Sequence, residues 1–292
     1  MRADARLEIS AVTEADRPAL DAYLAARSDT CMILRSNLYA VGLAWDPPGG
    51  TWLQAQYVLG RYDGAVVGVA GHAWNGNVLI QADAHAGELA VAAVGRSGRS
   101  IAGLLGGFAQ VASARDALDL AGPASLDSDE TLMSLSLDRL LVPPRLRDGG
   151  VTGRRAQASD RALLSRWRAA YLVETGQHDA GPAAEQRAAA TIDSAIAQRL
   201  AWVVEHEGAV VAMCTHNATL PDSVQVGGVF TPPALRGRGH ARAVVAASLI
   251  DARVAGATRA ILFTPRPDAV AAYRAIGFEP IGRYAVVLFG PH

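Results

Sequence analysis

Strand-like and helix-like apolar spacings alternate along this chain, and their order repeats. LEISA at 7–11 reads as a short strand, followed by Thr13 as a helix N-cap and apolar positions at helical spacing through Leu20 and Leu24. GRRAQASDRALLSRWRAAYL repeats the scheme, with a short strand near Arg155, Ser159 as N-cap, and Leu163, Leu164, Trp167 and Tyr171 along one helical face. The intervening VPPRLRDGGVTG, residues 142–153, combines proline, glycine and mixed charge and marks a boundary. The pattern predicts two domains, 1–148 and 149–292, each large enough to bury its own core.

Within the first half, Asp63-Gly64 and Asn75-Gly76 stand where a three-stranded antiparallel meander would turn. Beyond the meander the spacing predicts a helix over 85–94, a strand over 100–105, a helix over 108–118 and a strand over 132–142. The second half predicts helices ending at Glu174 and spanning 183–198, then strands 200–206, 209–218 and 224–231. A helix over 236–255, strand 259–264, helix 268–276 and strand 278–289 complete it. Each half is therefore α/β with a mixed, mainly antiparallel sheet.

Composition removes several chemistries. All 27 basic residues are arginine, so Schiff-base catalysis and the lysine-bearing P-loop are excluded. The net charge of -1, with no arginine run, gives no footprint for nucleic acid. No apolar stretch approaches the ~20 residues of a membrane span. MRADARLEISAV lacks the apolar core of a signal peptide, and Cys31 and Cys214 are far apart, so a reducing cytoplasm is the expected location. The seven histidines show no HxH or HExxH spacing and neither cysteine has a ligand neighbour, so no metal is expected. No G-x-S-x-G elbow is present.

The run GGVFTPPALRGRGHARAVVAASLIDA, residues 227–252, carries the chemistry. A strand ends at Thr231, Pro232 and Pro233 forbid its continuation, and a glycine-punctuated turn feeds a helix. The amides of Gly237, Arg238, Gly239, His240 and Ala241 are then unsatisfied donors at the positive end of a helix, which is an anion site. Gly237 and Gly239 let phosphate oxygens approach the backbone. A Rossmann fingerprint is excluded because Arg242 stands where its third glycine belongs.

These residues resemble the GNAT superfamily of N-acetyltransferases. The family's Q/R-x-x-G-x-G/A signature is matched by Arg236, Gly239 and Ala241, GVFTPP resembles its GVYTPP strand end, and AAYRAIGFEPIG at 271–282 resembles its closing segment. The resemblance implies acetyl-CoA as cosubstrate, its pyrophosphate on the amides of 237–241, and its pantetheine along the main chain of Val229, Phe230 and Thr231. It implies Tyr273 as the acid that protonates the departing thiolate. The acceptor would be a small-molecule or peptide amine attacking directly in a ternary complex, with the protein a monomer or homodimer.

Two departures stand out. Arg266 replaces an asparagine usual seven residues before the tyrosine and would meet a CoA phosphate instead. The strand SVQVGGVF contains no carboxylate to serve as base. Glu174, at the end of the first helix of the second half, is the leading base candidate, with His178 and His216 as alternatives and Asp222 assigned to a turn. An acceptor that loses its proton to water needs no dedicated base. The first half lacks the R-x-x-G-x-G/A signature; its element order resembles the degenerate domain of tandem acetyltransferases, and HAWNGN at 72–77 is its candidate substrate-facing loop.

Overall fold

The amide and the hydroxyl of Thr13 both donate to Oδ2 of Asp16, at 2.8 and 2.7 Å, and so fix the turn that follows the first strand. These bonds, with Arg61, lower the Asp16 carboxyl to about 2. The same device starts the second half: the Gln157 amide donates to Asp160 Oδ2 at 2.8 Å. Gln157 caps a short tight helical turn at Ala158–Asp160, and the helix proper follows with Asp160, not Ser159, as its N-cap. The computed structural model describes residues 6–45, 51 and 53–289.

In chain order the elements are β1 (Leu7–Ala11), α1 (Arg17–Ala25), α2 (Met32–Val41), β2 (Ala55–Tyr62), β3 (Ala65–Ala73), β4 (Asn77–Ala82), α3 (Ala86–Ser97), β5 (Gly103–Gly107), α4 (Phe108–Ala117) and β6 (Leu126–Ser136). Then come α5 (Pro144–Arg147), β7 (Thr152–Arg155), α6 (Arg161–Glu174), α7 (Pro182–Ala197), β8 (Ala201–His206), β9 (Ala209–Thr219), β10 (Ser223–Phe230), α8 (His240–Val254), β11 (Arg259–Thr264), α9 (Pro267–Arg274) and β12 (Glu279–Leu288). No helix among the described residues is long and apolar enough to cross a membrane.

The chain divides into two compact units whose boundaries fall inside β6 and β12: residues up to 130 with 282–289, and Thr131–Ile281. This differs from a single cut at 148/149. The later part of β6, from Thr131, pairs antiparallel with β11 in the second unit, and the end of β12 pairs antiparallel with β5 in the first. The proline- and glycine-rich segment around 142–153 therefore lies inside the second unit.

The first unit has strand order β1-β2-β3-β4-β5-β12. Its meander turns at Asp63-Gly64 and at Gly76, with φ of +49°, +79° and +84°, conformations that favour glycine and short polar side chains. Alternation along β2 sends Val58 into the core beneath α3 and Tyr57 and Leu59 into the core beneath α1 and α2.

The second unit has order β6-β11-β10-β9-β8-β7, antiparallel except between β10 and β11. Trp202 and Val204 of β8 face the core built on α8, while Val203 between them joins Leu164 of α6 and Ile192 of α7. Each such fully buried aliphatic side chain contributes about 1.5–3 kcal/mol. Helix α8 buries nine side chains, His240 through Ala252, and so holds its N-terminus rigidly against the sheet.

Candidate active site

The sheet of the second unit opens along β10. Its parallel pairing with β11 covers only Ser223–Gln225 against Arg259–Ile261, although β11 continues to Thr264 on β6. Beyond Gln225, β10 has no ladder partner on its β11 side among the described residues. On the β9 side the register is broken between Gly227 and Phe230, and Gly228 takes φ +56°. Gly228 is required by its φ and by Thr215 Oγ1, 2.8 Å from where a Cβ would stand, and a Cβ on Gly227 would displace the Asn217 side chain, whose Nδ2 lies 2.0 Å away. Val229, Phe230 and Thr231 thus present one backbone edge free of the sheet.

That edge leads into the loop before α8. Gly237 and Gly239 adopt φ of +75° and +80°, and the helix begins at His240, not at Arg236. Among the described residues, no main-chain amide from 237 to 242 donates to a backbone carbonyl. These donors, at a helix N-terminus, suit a phosphate. Arg236 Nε donates to the Thr231 carbonyl at 3.0 Å and Arg145 Nη1 to the Arg238 carbonyl at 3.1 Å, bracing both ends of the loop. The Arg242 guanidinium lies across Gly239, its Nε 3.0 Å from where a Cβ would be. Sequence reading missed Arg145 and Arg242; the first-turn position of Arg242 was the available signal. The His240 ring is buried without partners for either nitrogen, and burial, with Arg145, His206 and Arg238 nearby, lowers its pKa. It contributes its amide to the loop and its ring to the core.

Glu174 lies beside the loop with both oxygens engaged. Arg236 Nη2 donates to Oε2 at 2.5 Å and Arg266 Nη1 to Oε1 at 2.6 Å. Arg236 first, and then Arg266, hold its carboxyl below the usual range, which weakens it as a base. Arg266 also grips Asp268 through Nε and Nη2, at 3.1 and 2.9 Å, so a phosphate would have to compete with two carboxylates for it. Tyr273, on α9, is buried in the core under α8 with its ring 6.0 Å from Phe278. Burial, helped by Tyr171 and Cys214, pushes its hydroxyl well above the ordinary phenol value.

The other base candidates fit less well. Asp222 belongs to a turn, its carbonyl accepting from the Thr258 amide at 2.9 Å. His178 follows α6, its amide donating to the Leu172 carbonyl at 3.2 Å. His216 is 5% exposed, packs at a tilt against Trp202 with ring centroids 4.1 Å apart, and has its pKa pushed down to about 3 by burial and then by Arg155. A folded-state value below the unfolded 6.5 means that the unfolded chain binds the extra proton between those limits. Stability therefore falls as pH drops from about 6.5 toward 3, by about 1.4 kcal/mol per pH unit for this one group. Urea midpoints at pH 7 and pH 5 should show a smaller loss in His216→Phe than in the wild type; equal losses would contradict the assignment.

An opened β10–β11 pair thus feeds a glycine-shaped helix start. Residues 164–278 match the Acetyltransferase (GNAT) family model, a family whose members carry out acyl-CoA-dependent N-acetyl transfer to an acceptor. Among solved structures, the chain is similar to a Drosophila protein at TM-score 0.66 and 13% identity, covering 97% of this chain and 98% of that one. It is similar to a tandem GNAT protein from the clavulanic acid biosynthesis pathway at TM-score 0.55 and 15% identity, covering 98% and 100%. A GCN5-related N-acetyltransferase from Sphaerobacter thermophilus aligns at TM-score 0.55 and 18% identity, covering 98% and 96%. No sequence among curated proteins matches the chain.

Proposed function

We propose that the second unit transfers an acetyl group from acetyl-CoA to an amine by direct attack. The observation that carries this reading is the free β10 edge running into the unbonded amides of 237–242. Those amides would bind the pyrophosphate, assisted by Arg236, Arg238 and Arg242, and the main chain of Val229, Phe230 and Thr231 would hold the pantetheine. The amine nitrogen attacks the thioester carbonyl carbon, the C–N bond forms and the C–S bond breaks. Tyr273 gives the departing thiolate a proton, and the acceptor nitrogen releases one to water. Glu174 orients Arg236 and Arg266 and takes no proton.

Supporting the restriction to one unit, the first unit offers no comparable loop among the described residues. Only residues 83–85 separate β4 from α3, Asp83 and Glu88 put negative charge there, and Gln110 Oε1 accepts from the Ala82 amide at 3.2 Å. Thiol release from acetyl-CoA in the presence of amines tests the proposal; acetyl-CoA bound without release by any amine would favour a non-catalytic module. Glu174→Gln should change kcat by less than about threefold while weakening acetyl-CoA binding several-fold, whereas a general base would cost about 10²-fold in kcat.

A further inference from the structure

Among the described residues, one cation beside the open strand has no carboxylate paired with it. Arg168 reaches from α6 to the β10 bulge, where its Nη1 lies 3.1 Å from the place a Cβ on Gly228 would occupy. Its guanidinium packs over the Tyr171 ring at 4.7 Å from the centroid. Its Nε is shut off from solvent and has no hydrogen-bond partner. Two other arginines of the proposed cofactor site, Arg236 and Arg266, share Glu174. No carboxylate among the described residues is ion-paired with Arg168, and the charged neighbour that acts on it, Arg187 of α7, is another cation. Burial and Arg187 both disfavour its charge, and a half-buried cation with a second cation acting on it is favoured when a ligand supplies the counter-charge.

The position says what should supply it. Gly228, which Arg168 reaches, immediately precedes the segment proposed to hold the acetyl-pantetheine. An anion on Arg168 would therefore sit beside the reacting thioester. We infer that the acceptor is an amino carboxylate, a free amino acid or a short peptide with a free C-terminus, whose carboxylate is bound by Arg168. This rests on the transferase reading and specifies its second substrate. The planar fork of Arg168 suits a carboxylate bidentately.

The test compares matched acids and amides as acceptors: glycine and glycinamide, leucine and leucinamide, phenylalanine and phenylalaninamide, and the corresponding dipeptides, scored by thiol release from acetyl-CoA. The amides hold more of their nitrogen as free amine, so intrinsic reactivity favours them. The wild type should nevertheless prefer the acids by about 10- to 100-fold in kcat/KM, expressed mainly in KM. Arg168→Gln should bring the acid-to-amide ratio to about 1, and Arg168→Lys should restore part of it. Calorimetric Kd for acetyl-CoA, measured on every protein, separates the two levels: a wild type that binds none overturns the transferase reading itself. With acetyl-CoA bound, amides used as well as acids, no amino carboxylate turned over, or an acid preference persisting in Arg168→Gln would overturn this inference alone. If the glutamine variant loses acetyl-CoA binding through misfolding, the wild-type ratio decides, since a ratio of 1 or below overturns it.

Discussion

Tyr273→Phe is expected to lower kcat by about 10²-fold while leaving the Kd for acetyl-CoA within about twofold of the wild type. The ring is buried against Phe278 in the core of the second unit, so phenylalanine preserves the packing and removes only the hydroxyl. Burial raises the phenol pKa, which keeps the proton on Tyr273 throughout the working pH range. A thiol has a pKa of about 8.5, so complete transfer from the phenol is uphill. The gain comes from a fixed donor facing charge as it develops on sulfur, an interaction stronger in the transition state than in the bound substrate. Thiol release measured beside calorimetric binding checks both halves of the expectation. An unchanged kcat would make Tyr273 a packing residue only.

Gly239→Val should weaken acetyl-CoA binding by about 10²-fold. Gly239 holds φ +80°, where a β-branched residue is strained by about 1–3 kcal/mol. Its side chain would also enter the space taken by the Arg242 guanidinium and, in the proposed complex, by the pyrophosphate. Helix α8 keeps its buried face from Ala243 to Ala252, so the unit should still fold, and circular dichroism together with an unfolding free energy within about 3 kcal/mol of the wild type would verify it. An unaltered Kd for acetyl-CoA would mean that the phosphates bind elsewhere.

Local signals in the sequence located most of the second unit. The strand ending in GVFTPP, the glycine turn and the helix after it carry their own start and stop residues, and they form within a few residues of where spacing places them. The helix starts four residues later than expected because Gly237 and Gly239 are left-handed and cannot open it. Helix α2 was not legible: polar Ser36 and Asn37 interrupt its apolar spacing, and both are buried by contacts made only in the folded unit. Strand β6 lies earlier than its apolar end suggests, because its charged first half, LDSDE, is held in a ladder whose partners are distant in sequence.

The site follows the same division. The loop glycines and Tyr273 were readable as a motif. The opening between β10 and β11 was not, since it is a loss of pairing between strands that each look regular. Glu174, Arg236 and Arg266 come from three separate elements, so nothing local shows that the carboxylate serves the two arginines. Arg168 is a single charge on an amphipathic helix in sequence, and only the fold reveals that it faces Gly228 with no carboxylate paired with it among the described residues.

The central claim is that one unit of this chain, the second, binds acetyl-CoA through its glycine-shaped loop. Isothermal titration of the full chain with acetyl-CoA should give one equivalent per chain, and Gly239→Val should weaken that same single site. No binding, or two equivalents per chain, would contradict it.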